Sequence, residues 1–300
     1  MNQNKHKLKH RSAEDIFITI FVAVFMTVFV IITLYPVLNT VAVSFNVGTD
    51  AIRGGIHLWP RVPTTKNYKT VLQMQNLLTG AKISVLRTLI GTLSALFVNA
   101  LLAYVVSRKR FLFRSELSLF WVITMYVNGG MIPTFLLYRN LKLTGTFWVY
   151  IIPGAISAFN MLVMRTYMEG LPESLEESAQ LDGAGYMTIF FKIISPLCKP
   201  VYATIALFIA VGHWNSWFDA MLYNRLSTEY TTLQYELMKL LSSVMQQSGS
   251  ADSAKYGGGA ITPLTIRAAA TVVTMAPIIC LYPFLQRYFV TGLTIGGVKE

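Results

Sequence analysis

One run of apolar residues constrains this chain more than any other feature. Residues 16–38 read IFITIFVAVFMTVFVIITLYPVL, without a charged side chain. A hydrocarbon core of about 30 Å requires roughly 20 residues of helix, because lipid offers no partner for free backbone groups. The run follows a basic stretch, as in a signal peptide, but it exceeds the roughly 7–15 residues of a signal core and no clear A-x-A site follows. It is therefore predicted to be an uncleaved first span.

The composition extends this prediction to most of the chain. Hydrophobic residues make up 54% of the 300 residues and charged residues 13%, whereas a soluble domain carries about 25% charged residues. The mean hydropathy is +0.51. These values predict an all-α membrane protein with one transmembrane domain, 16–288, whose helices tolerate proline as a kink. The six predicted spans cover residues 16–38, 84–107, 116–138, 147–168, 200–220 and 268–288.

The positive charge predicts an orientation rather than a nucleic-acid partner. The formal net charge is +11, but much of it lies in short clusters beside apolar runs, as the positive-inside rule describes for cytoplasmic segments. One cluster lies in the basic N-terminal segment 1–15, and another is the turn SRKRFLFR at 107–114. Six spans place both termini, including the tail 289–300, in the cytoplasm. The connections 39–83 and 221–267 then face outward.

Several kinds of chemistry are missing from the sequence. There is no Gly-x-x-x-x-Gly-Lys-Ser/Thr, so ATP hydrolysis through a phosphate-cradling loop is not expected. The four histidines lack metal-ligand spacing, and no Gly-x-Ser-x-Gly nucleophile motif occurs. Acidic residues mark ion relays inside membranes, and among the predicted spans Asp219, near an outer end, is the main example. The chain is predicted to be no enzyme and to hold no cofactor, with Cys198 and Cys280 as small core residues.

One acidic segment interrupts the apolar sequence between the fourth and fifth predicted spans. It reads LPESLEESAQLDGAGYMTIFFKIISPLCKP from Leu171 to Pro200 and carries four of the 14 acidic residues. Pro172 suits the first position of a helix whose dipole favours the following glutamates, and two glycines permit a turn after it. A stripe of Leu171, Leu175 and Ala179 marks the first helix. A second helix shows one apolar face, formed by Tyr186, Ile189, Phe190 and Ile193.

This pattern predicts a helix–Gly–helix hairpin within 169–199, which alone is equally typical of an ordinary connection between spans. The residue order, however, resembles the EAA loop of permease subunits of binding-protein-dependent ABC importers. That pattern is Glu-Ala-Ala, three residues, Gly, nine residues, Ile, one residue, Leu, Pro. The stretch EESAQLDGAGYMTIFFKIISP keeps this spacing, with Ser178 replacing the second-position Ala and Ser195 replacing the Leu. Asp-Gly-Ala at 182–184 is the form typical of the family's sugar importers.

The resemblance extends over most of the chain. Six spans, a long outward loop before the last span and the tail GLTIGGVKE resemble the six-span permease subunit of maltose-type importers. GGMIPTFLLYRNLKLTGTFWVYIIPG and HWNSWFDAMLYN resemble the subgroup that imports complex oligosaccharides. The resemblance implies a protein of the bacterial cytoplasmic membrane, half of a heterodimer with a second homologous permease. It also implies two ATP-binding subunits that hold ATP and Mg²⁺, and an extracellular or periplasmic solute-binding protein.

The implied mechanism is alternating access, in which closure of the ATP-binding subunits is transmitted through the hairpin. Glu177 and Asp182 are expected to face the ATPase cleft, with Leu175 and Ala179 packed in it, and Gly183 is expected to adopt a positive φ. The residues to which the resemblance assigns coupling are Leu175, Glu177, Ala179, Asp182, Gly183, Ala184, Ile193 and Pro196.

Sugars are bound by amides, acids and aromatic faces, and such residues occur in or near the predicted spans. The candidates for the substrate path are Asn128, Asn160, Trp214, Asn215, Trp217 and Asp219. Each class has a structural alternative, since asparagines also join helices and tryptophans also form interfacial belts. In maltose-type importers, moreover, the other permease subunit supplies most sugar contacts.

The outward loop 221–267 is long and Gly/Ser-rich, and loops beyond about 12–15 residues are usually functional or disordered. In the maltose-type subunit the matching loop enters the sugar cleft of the binding protein, which makes Gln246, Gln247 and Tyr256 candidates for displacing sugar. A passive loop is the alternative. For the whole chain, the alternatives are a permease for another solute, such as an amino-acid derivative, phosphate or polyamine, and a non-transporting membrane scaffold or receptor component.

Overall fold

The computed structural model describes residues 13–242 and 261–294, and their side chains over 14–242 and 261–281. Within these ranges the regular structure is helical, and the one pairing of extended backbone is an isolated antiparallel bridge between Asn46 and Pro63. The all-α prediction is thus confirmed for the described residues. The first helices are α1 (Ala13–Ser44), α2 (Gly48–Ala51), α3 (Lys66–Gln73), α4 (Gln75–Ser107), α5 (Arg114–Tyr126), α6 (Met131–Asn140) and α7 (Ala158–Glu169). The remaining helices are α8 (Ser174–Leu181), α9 (Tyr186–Ile189), α10 (Ser195–Leu197), α11 (Lys199–Asn215), α12 (Phe218–Tyr223), α13 (Leu233–Ser242) and α14 (Pro263–Thr294).

Three of the described helices are long and apolar enough to cross a bilayer, namely α1, α4 and α14 over its first 19 residues to Leu281. Two bent pairs would raise the number to five if each pair formed one span: α5 with α6, bent by 114°, and the segment Tyr186–Leu197 with α11, bent by 81°. The predicted spans 16–38 and 84–107 lie within α1 and α4. The count of six stays a prediction.

The predicted span 147–168 is not one helix, which corrects the sequence analysis. A 3₁₀ turn at Phe147–Tyr150 and helix α7 are separated by an interruption that contains Pro153, a residue without a backbone N–H. The fully buried Asn99 of α4 satisfies the backbone there. Its Nδ2 donates to the carbonyl of Ala155 over 3.1 Å, and its Oδ1 accepts from the N–H of Ser157 over 3.0 Å. A side chain from a neighbouring helix therefore stabilises the break, because buried backbone groups must be paired.

The described residues group into two compact units. One comprises residues up to Thr70 with 261–272, and the other begins at Val71 and includes the residues from Val273. In the first unit, Asn67 Nδ2 donates to the carbonyls of Ser44 and Asn46 over 2.8 and 2.9 Å. A hydrogen bond from Asn46, with a smaller contribution from Arg61, holds the pKa of Asp50 below its usual value. The start of the predicted outward connection 39–83 is therefore a folded structure.

In the second unit α4 is the central helix and packs against α7, α11 and α13. Gly91 permits the close approach of α11, because a Cβ at this position would overlap the ring of His213. The main core cluster combines residues of α4, α7 and α11 with residues of the acidic segment, among them Ala103, Met164, Ile205 and Ile189. The acidic segment is thus part of the folded core rather than an appendage.

Candidate functional site

Helix α8 forms the first half of the predicted hairpin. It begins at Ser174, after Glu173 at the N-cap position, with Glu176 and Glu177 in its first turn. Pro172 therefore lies just before the helix instead of at its first position. The two glutamates lie where the helix dipole favours negative charge.

A glycine turn of the Schellman type ends α8. The N–H of Ala184 donates to the carbonyl of Ala179 over 2.9 Å, and the N–H of Gly183 donates to that of Gln180 over 3.0 Å. These are the two bonds of a Schellman motif, which places the residue after the C-cap in the left-handed region. Gly183 has a φ of +81°, so the predicted positive φ is confirmed.

The apolar stripe of α8 faces the chain's own core. Ala179 is only 7% exposed and belongs to the main core cluster, with Leu171 and Ala184 packed against that cluster. The expectation that Ala179 contacts a partner is therefore corrected, and Leu175 is half-exposed at the edge. On the opposite side, Leu181 is 90% exposed.

Two acids of the hairpin are exposed as well, one before and one after Leu181 in the sequence. Glu177 and Asp182 are both exposed. Within the part of the chain that the structure describes, neither carboxylate forms a hydrogen bond or an ion pair. Sequence reasoning missed Leu181, which lies off the stripe of Leu175 and Ala179.

The second half of the hairpin differs from the predicted regular helix. Helix α9 continues as a π-helical turn, Phe190–Ile194, before α10, which contains Pro196. A π turn adds a residue to the helical repeat and so shifts the face that follows it. Ile189 and Phe190 are buried, and along the π turn Ile194 is buried while Ile193 is only partly buried; Tyr186, the first residue of α9, is exposed. The predicted apolar face of the second helix is therefore buried only in part.

The structure places the basic turn 107–114 directly against the acidic segment and the last residue of α7, Glu169. Lys109 Nζ lies 2.8 Å from Glu173 Oε2, and Arg114 Nη2 lies 2.9 Å from Glu169 Oε1. Arg110 Nη1 donates to Gln180 Oε1 over 2.8 Å. Arg108 pairs with Glu176. Together they line a cleft of about 360 Å³.

The hydrogen bond from Lys109 holds the pKa of Glu173 below its usual value of 4.5. The basic turn and the acidic segment lie far apart in the sequence but form one charged cluster in the structure.

Asp219, a candidate for the substrate path, is already engaged within the chain. Its carboxylate lies 2.5 and 3.2 Å from the guanidinium nitrogens of Arg87, a residue of α4 that is 2% exposed. It also accepts from Ser216 Oγ over 2.8 Å and from the N–H of Ala220 over 2.9 Å. Sequence reasoning missed Arg87, although a lone arginine within an apolar run indicates a buried partner.

The other path candidates lie at interruptions of the helices. Asn128 is exposed between α5 and α6, where its Oδ1 accepts from the N–H of Gly130 over 2.8 Å. Asn160 is partly buried in the first turn of α7, and Asn215 is exposed at the end of α11. Lipid-exposed breaks are not tolerated at membrane depth unless protein or water covers them. Asn128, Asn160 and Asn215 lie at three separate interruptions of the helices, each of which protein or water must cover.

The two tryptophans pack within the chain. Trp214 Nε1 donates to the carbonyl of Thr274 over 3.1 Å, and Trp217 packs against a core cluster that contains Tyr150 and Ala220. The loop candidates Gln246, Gln247 and Tyr256 lie outside the described residues.

Both cysteines are free thiols. Cys198 is buried as predicted, whereas Cys280 is exposed, which corrects its assignment to the core.

Comparison with known proteins defines the class. A family model described as "Binding-protein-dependent transport system inner membrane component" matches residues 87–295, which include the acidic segment. The match covers more than half of the chain, so the chain belongs to this family. The family predicted from the spacing in the hairpin is thus confirmed.

Individual relatives match over most of their length. The chain is 35% identical over 270 residues to the polygalacturonan/rhamnogalacturonan transport system permease protein YtcP of Bacillus subtilis, which covers 90% of this chain and 93% of that protein. It is 30% identical over 273 residues to the arabinooligosaccharides transport system permease protein AraQ of Halalkalibacterium halodurans, with 89% and 92% covered.

A solved structure matches as well. It is a chain of a bacterial ABC transporter involved in the import of the acidic polysaccharide alginate. The TM-score is 0.85 at 30% identity, with 93% of this chain and 98% of that chain covered. The fold is therefore that of an ABC importer permease.

Proposed function

We propose that the chain is one of two membrane subunits of an ATP-driven oligosaccharide importer. The family is described as a component of binding-protein-dependent transport, and the relatives are named for polygalacturonan/rhamnogalacturonan and arabinooligosaccharides. The related solved transporter imports alginate. The proposed partners are a second homologous permease, two ATP-binding subunits that hold ATP and Mg²⁺, and an external solute-binding protein.

The exposed side of α8 carries the proposal about mechanism. Glu177, Leu181 and Asp182 are three exposed residues of α8 and its C-cap that we call the docking face, and the two acids form no hydrogen bond or ion pair within the described residues. Burial of an apolar side chain flanked by charges is a common way to join two subunits. The docking face is proposed to enter a cleft of an ATP-binding subunit. Closure of these subunits would then move α8 and reorient the membrane helices.

Gly183→Val tests this role, with Gly185→Val as a matched control. Gly183 has a φ of +81°, which a β-branched residue resists, whereas Gly185 has a φ of −75°. A Cβ would meet no atom within 4 Å at either position, so the backbone conformation is the main difference. We expect Gly183→Val to keep ATP hydrolysis but lose uptake in proteoliposomes, and Gly185→Val to keep both.

The substrates for this assay are oligogalacturonides and arabino-oligosaccharides, supplied on the solute-binding protein. Normal uptake by assembled Gly183→Val would refute the coupling role. Uptake of a different solute, such as an amino-acid derivative, phosphate or polyamine, would instead overturn only the substrate class. A complex without any solute-stimulated ATP hydrolysis would favour a scaffold or receptor component.

The proposal that partner subunits hydrolyse the ATP can be tested separately. The sequence lacks a phosphate-cradling loop. Purified alone, the chain is expected to show no ATPase activity at any sugar concentration. Activity should appear only with the ATP-binding subunits and the second permease, and should rise with loaded binding protein. Hydrolysis by the isolated chain would contradict the proposal.

The proposal includes an orientation and a role for the outward loop. The pairing of turn 107–114 with the acidic segment supports a shared side for both, which is proposed to be the cytoplasm with both termini. The loop 221–267 is proposed to meet the binding protein. Deletion of 248–258 should lower uptake and weaken stimulation by loaded binding protein, while basal ATPase activity persists. Unchanged uptake would assign the loop a passive role.

A further inference from the structure

We infer that Arg108 is a positioning residue that fixes the orientation of α8, and with it the docking face, relative to the end of α4. This inference rests on the coupling role proposed above for α8. It concerns residues inside the chain and makes no use of contacts with a partner subunit.

One guanidinium group contacts three elements. The carbon at the centre of the Arg108 guanidinium lies 4.9 Å from the centre of the Tyr104 ring, and Nη2 donates to Ser107 Oγ over 3.0 Å, both residues of α4. The same Nη2 lies 3.5 Å from the carbonyl of Met168 in the last turn of α7. Nη1 donates to Glu176 of α8. Arg108 thus connects the ends of α4 and α7 to the side of α8.

The Arg108–Glu176 pair is more buried than the neighbouring Lys109–Glu173 pair. The side chains of Arg108 and Glu176 are 16% and 12% exposed, whereas those of Lys109 and Glu173 are 71% and 56% exposed. Exposed ion pairs are screened by solvent and contribute little. A largely buried pair is screened less, and a planar guanidinium offers several donors in fixed directions that an ammonium group lacks. Arg108 is therefore the member of the basic turn that can hold α8 in one orientation.

Adjacent glutamates on α8 separate positioning from docking. Successive residues of an α-helix point about 100° apart. Glu176 is directed to Arg108, while Glu177 is exposed and unpaired within the described residues. Replacement of Glu176 changes the contact with Arg108, whereas Glu177 lines the same cleft but forms no hydrogen bond or ion pair within the described residues. The chain therefore supplies a control one residue away.

The contact between Arg108 and Glu176 can affect the membrane helices because of where α4 lies in the fold. Its 33 residues correspond to about 50 Å of helix, and it packs against α7, α11 and α13. A displacement of α8 is passed to this helix through Arg108. Without Arg108, α8 would keep the exposed Lys109–Glu173 pair at its start, the Arg110–Gln180 hydrogen bond and the buried side chain of Ala179.

The first experiment measures the position of α8 directly. Cys198 and Cys280 are replaced by serine, and spin labels are attached at Ser178→Cys, on α8 but outside the docking face, and at Leu112→Cys, two exposed positions. The distance between the labels is measured in the assembled complex in lipid nanodiscs, without nucleotide. We expect one narrow distribution in the parent and in Glu177→Gln and Lys109→Gln. Arg108→Gln and Glu176→Gln should each broaden it.

The second experiment measures coupling in proteoliposomes, as sugar taken up per ATP hydrolysed. We expect Arg108→Gln and Glu176→Gln to lower this ratio at least about fivefold, the small end of typical coupling effects. The double variant should be no worse than either single variant, because both remove one contact. Arg108→Lys should restore only part of the ratio. Lys109→Gln should match the parent.

The outcomes separate this inference from the proposed function. If Arg108→Gln and Glu176→Gln leave the distance distribution unchanged, the positioning role is overturned. If they broaden it while the ratio stays at the parent value and Gly183→Val uncouples, the link from position to coupling is overturned. If Gly183→Val also fails to uncouple, it is the proposed coupling role of α8 that fails. Should Arg108→Gln not assemble, Glu176→Gln alone decides, because it retains the arginine.

Discussion

Helix α4 engages two arginines by the same set of contacts, one within the helix and one just beyond its end. Arg87 lies 4.4 Å from the centre of the Tyr150 ring, and Arg108 lies 4.9 Å from that of Tyr104. Each pairs with a carboxylate and approaches a backbone carbonyl, that of Ser216 at 3.4 Å and that of Met168 at 3.5 Å. The chemistry is shared, so the differences between the two places are informative.

The partners differ in what else they touch. Asp219, the partner of Arg87, also accepts hydrogen bonds from Ser216 and from the N–H of Ala220, so all of these contacts are with residues of the same chain. Glu176, the partner of Arg108, belongs to a helix whose opposite side is exposed. The Arg87–Asp219 pair therefore fixes the start of α12 inside the fold. The Arg108–Glu176 pair holds α8, a helix with an exposed surface. Replacing the first should mainly affect stability, and replacing the second should mainly affect function.

The largest expected effect is on the Arg87 pair. Asp219→Asn leaves a buried guanidinium without its counter-charge, and Arg87 is 2% exposed. Breaking one partner of a buried pair costs about 3–5 kcal/mol. We expect a loss of this size in the free energy of unfolding, measured by denaturant titration in detergent micelles. The double variant Arg87→Met/Asp219→Leu should lose less than Asp219→Asn, because no charge remains buried; an equal or larger loss would contradict the anchor interpretation.

An intermediate effect is expected at the other arginine. Arg108→Gln removes hydrogen bonds to a charged group, which contribute about 1.5–3 kcal/mol each, and water reaches part of the site, which favours the lower end. The free energy of unfolding should therefore fall less than for Asp219→Asn in the same titration. Uptake per ATP should nevertheless fall more steeply for Arg108→Gln at equal amounts of assembled complex. A larger loss of stability at Arg108 than at Asp219 would reverse the comparison.

The two places also differ in how far the sequence predicts them. The hairpin can be predicted from the sequence because it depends on neighbouring residues. Glycine permits the positive φ at Gly183, and the spacing from Glu177 to Pro196 carries the family resemblance. The Arg87–Asp219 pair joins residues 132 positions apart, and a lone arginine in an apolar run indicates a buried partner without showing which distant residue it is. The same limit hid Asn99, which pairs with the backbone of the interruption before α7.

The remaining wrong predictions have their cause in what hydropathy patterns cannot distinguish. An apolar window does not distinguish a continuous helix from a 3₁₀ turn followed by a break, so 147–168 resembled a span. The regular 3.6-residue repeat likewise predicts that Ile193 continues the apolar face, because the π turn at Phe190–Ile194 does not show in the sequence periodicity. The candidates for the substrate path were chosen by residue type alone, and Asp219 and Trp214 proved to have partners within the chain.

The smallest expected effect concerns the exposed pair of Lys109 and Glu173, beside Arg108. The hydrogen bond from Lys109 lowers the pKa of Glu173 in the folded protein below its usual value of 4.5. A lowered folded pKa contributes stability that is present above the unfolded pKa and is lost as the pH falls through the folded one. Lys109→Gln should therefore lower the thermal midpoint only slightly at pH 7, and this difference from the parent should shrink below pH 4.5 and disappear once the pH is below the lowered pKa of Glu173.

Arg110→Gln is the matched control for this pH dependence. Its partner Gln180 does not titrate, and Arg110 makes the smallest of the contributions that lower the pKa of Glu173. The difference between parent and Arg110→Gln should hence stay nearly constant between pH 7 and pH 4, measured by the same thermal scans in detergent. If both variants lost their difference together, the charge of the whole turn, and not the Lys109–Glu173 pair, would be responsible. The basic turn would then act as one electrostatic unit, and the separation of Arg108 from its exposed neighbours would no longer hold.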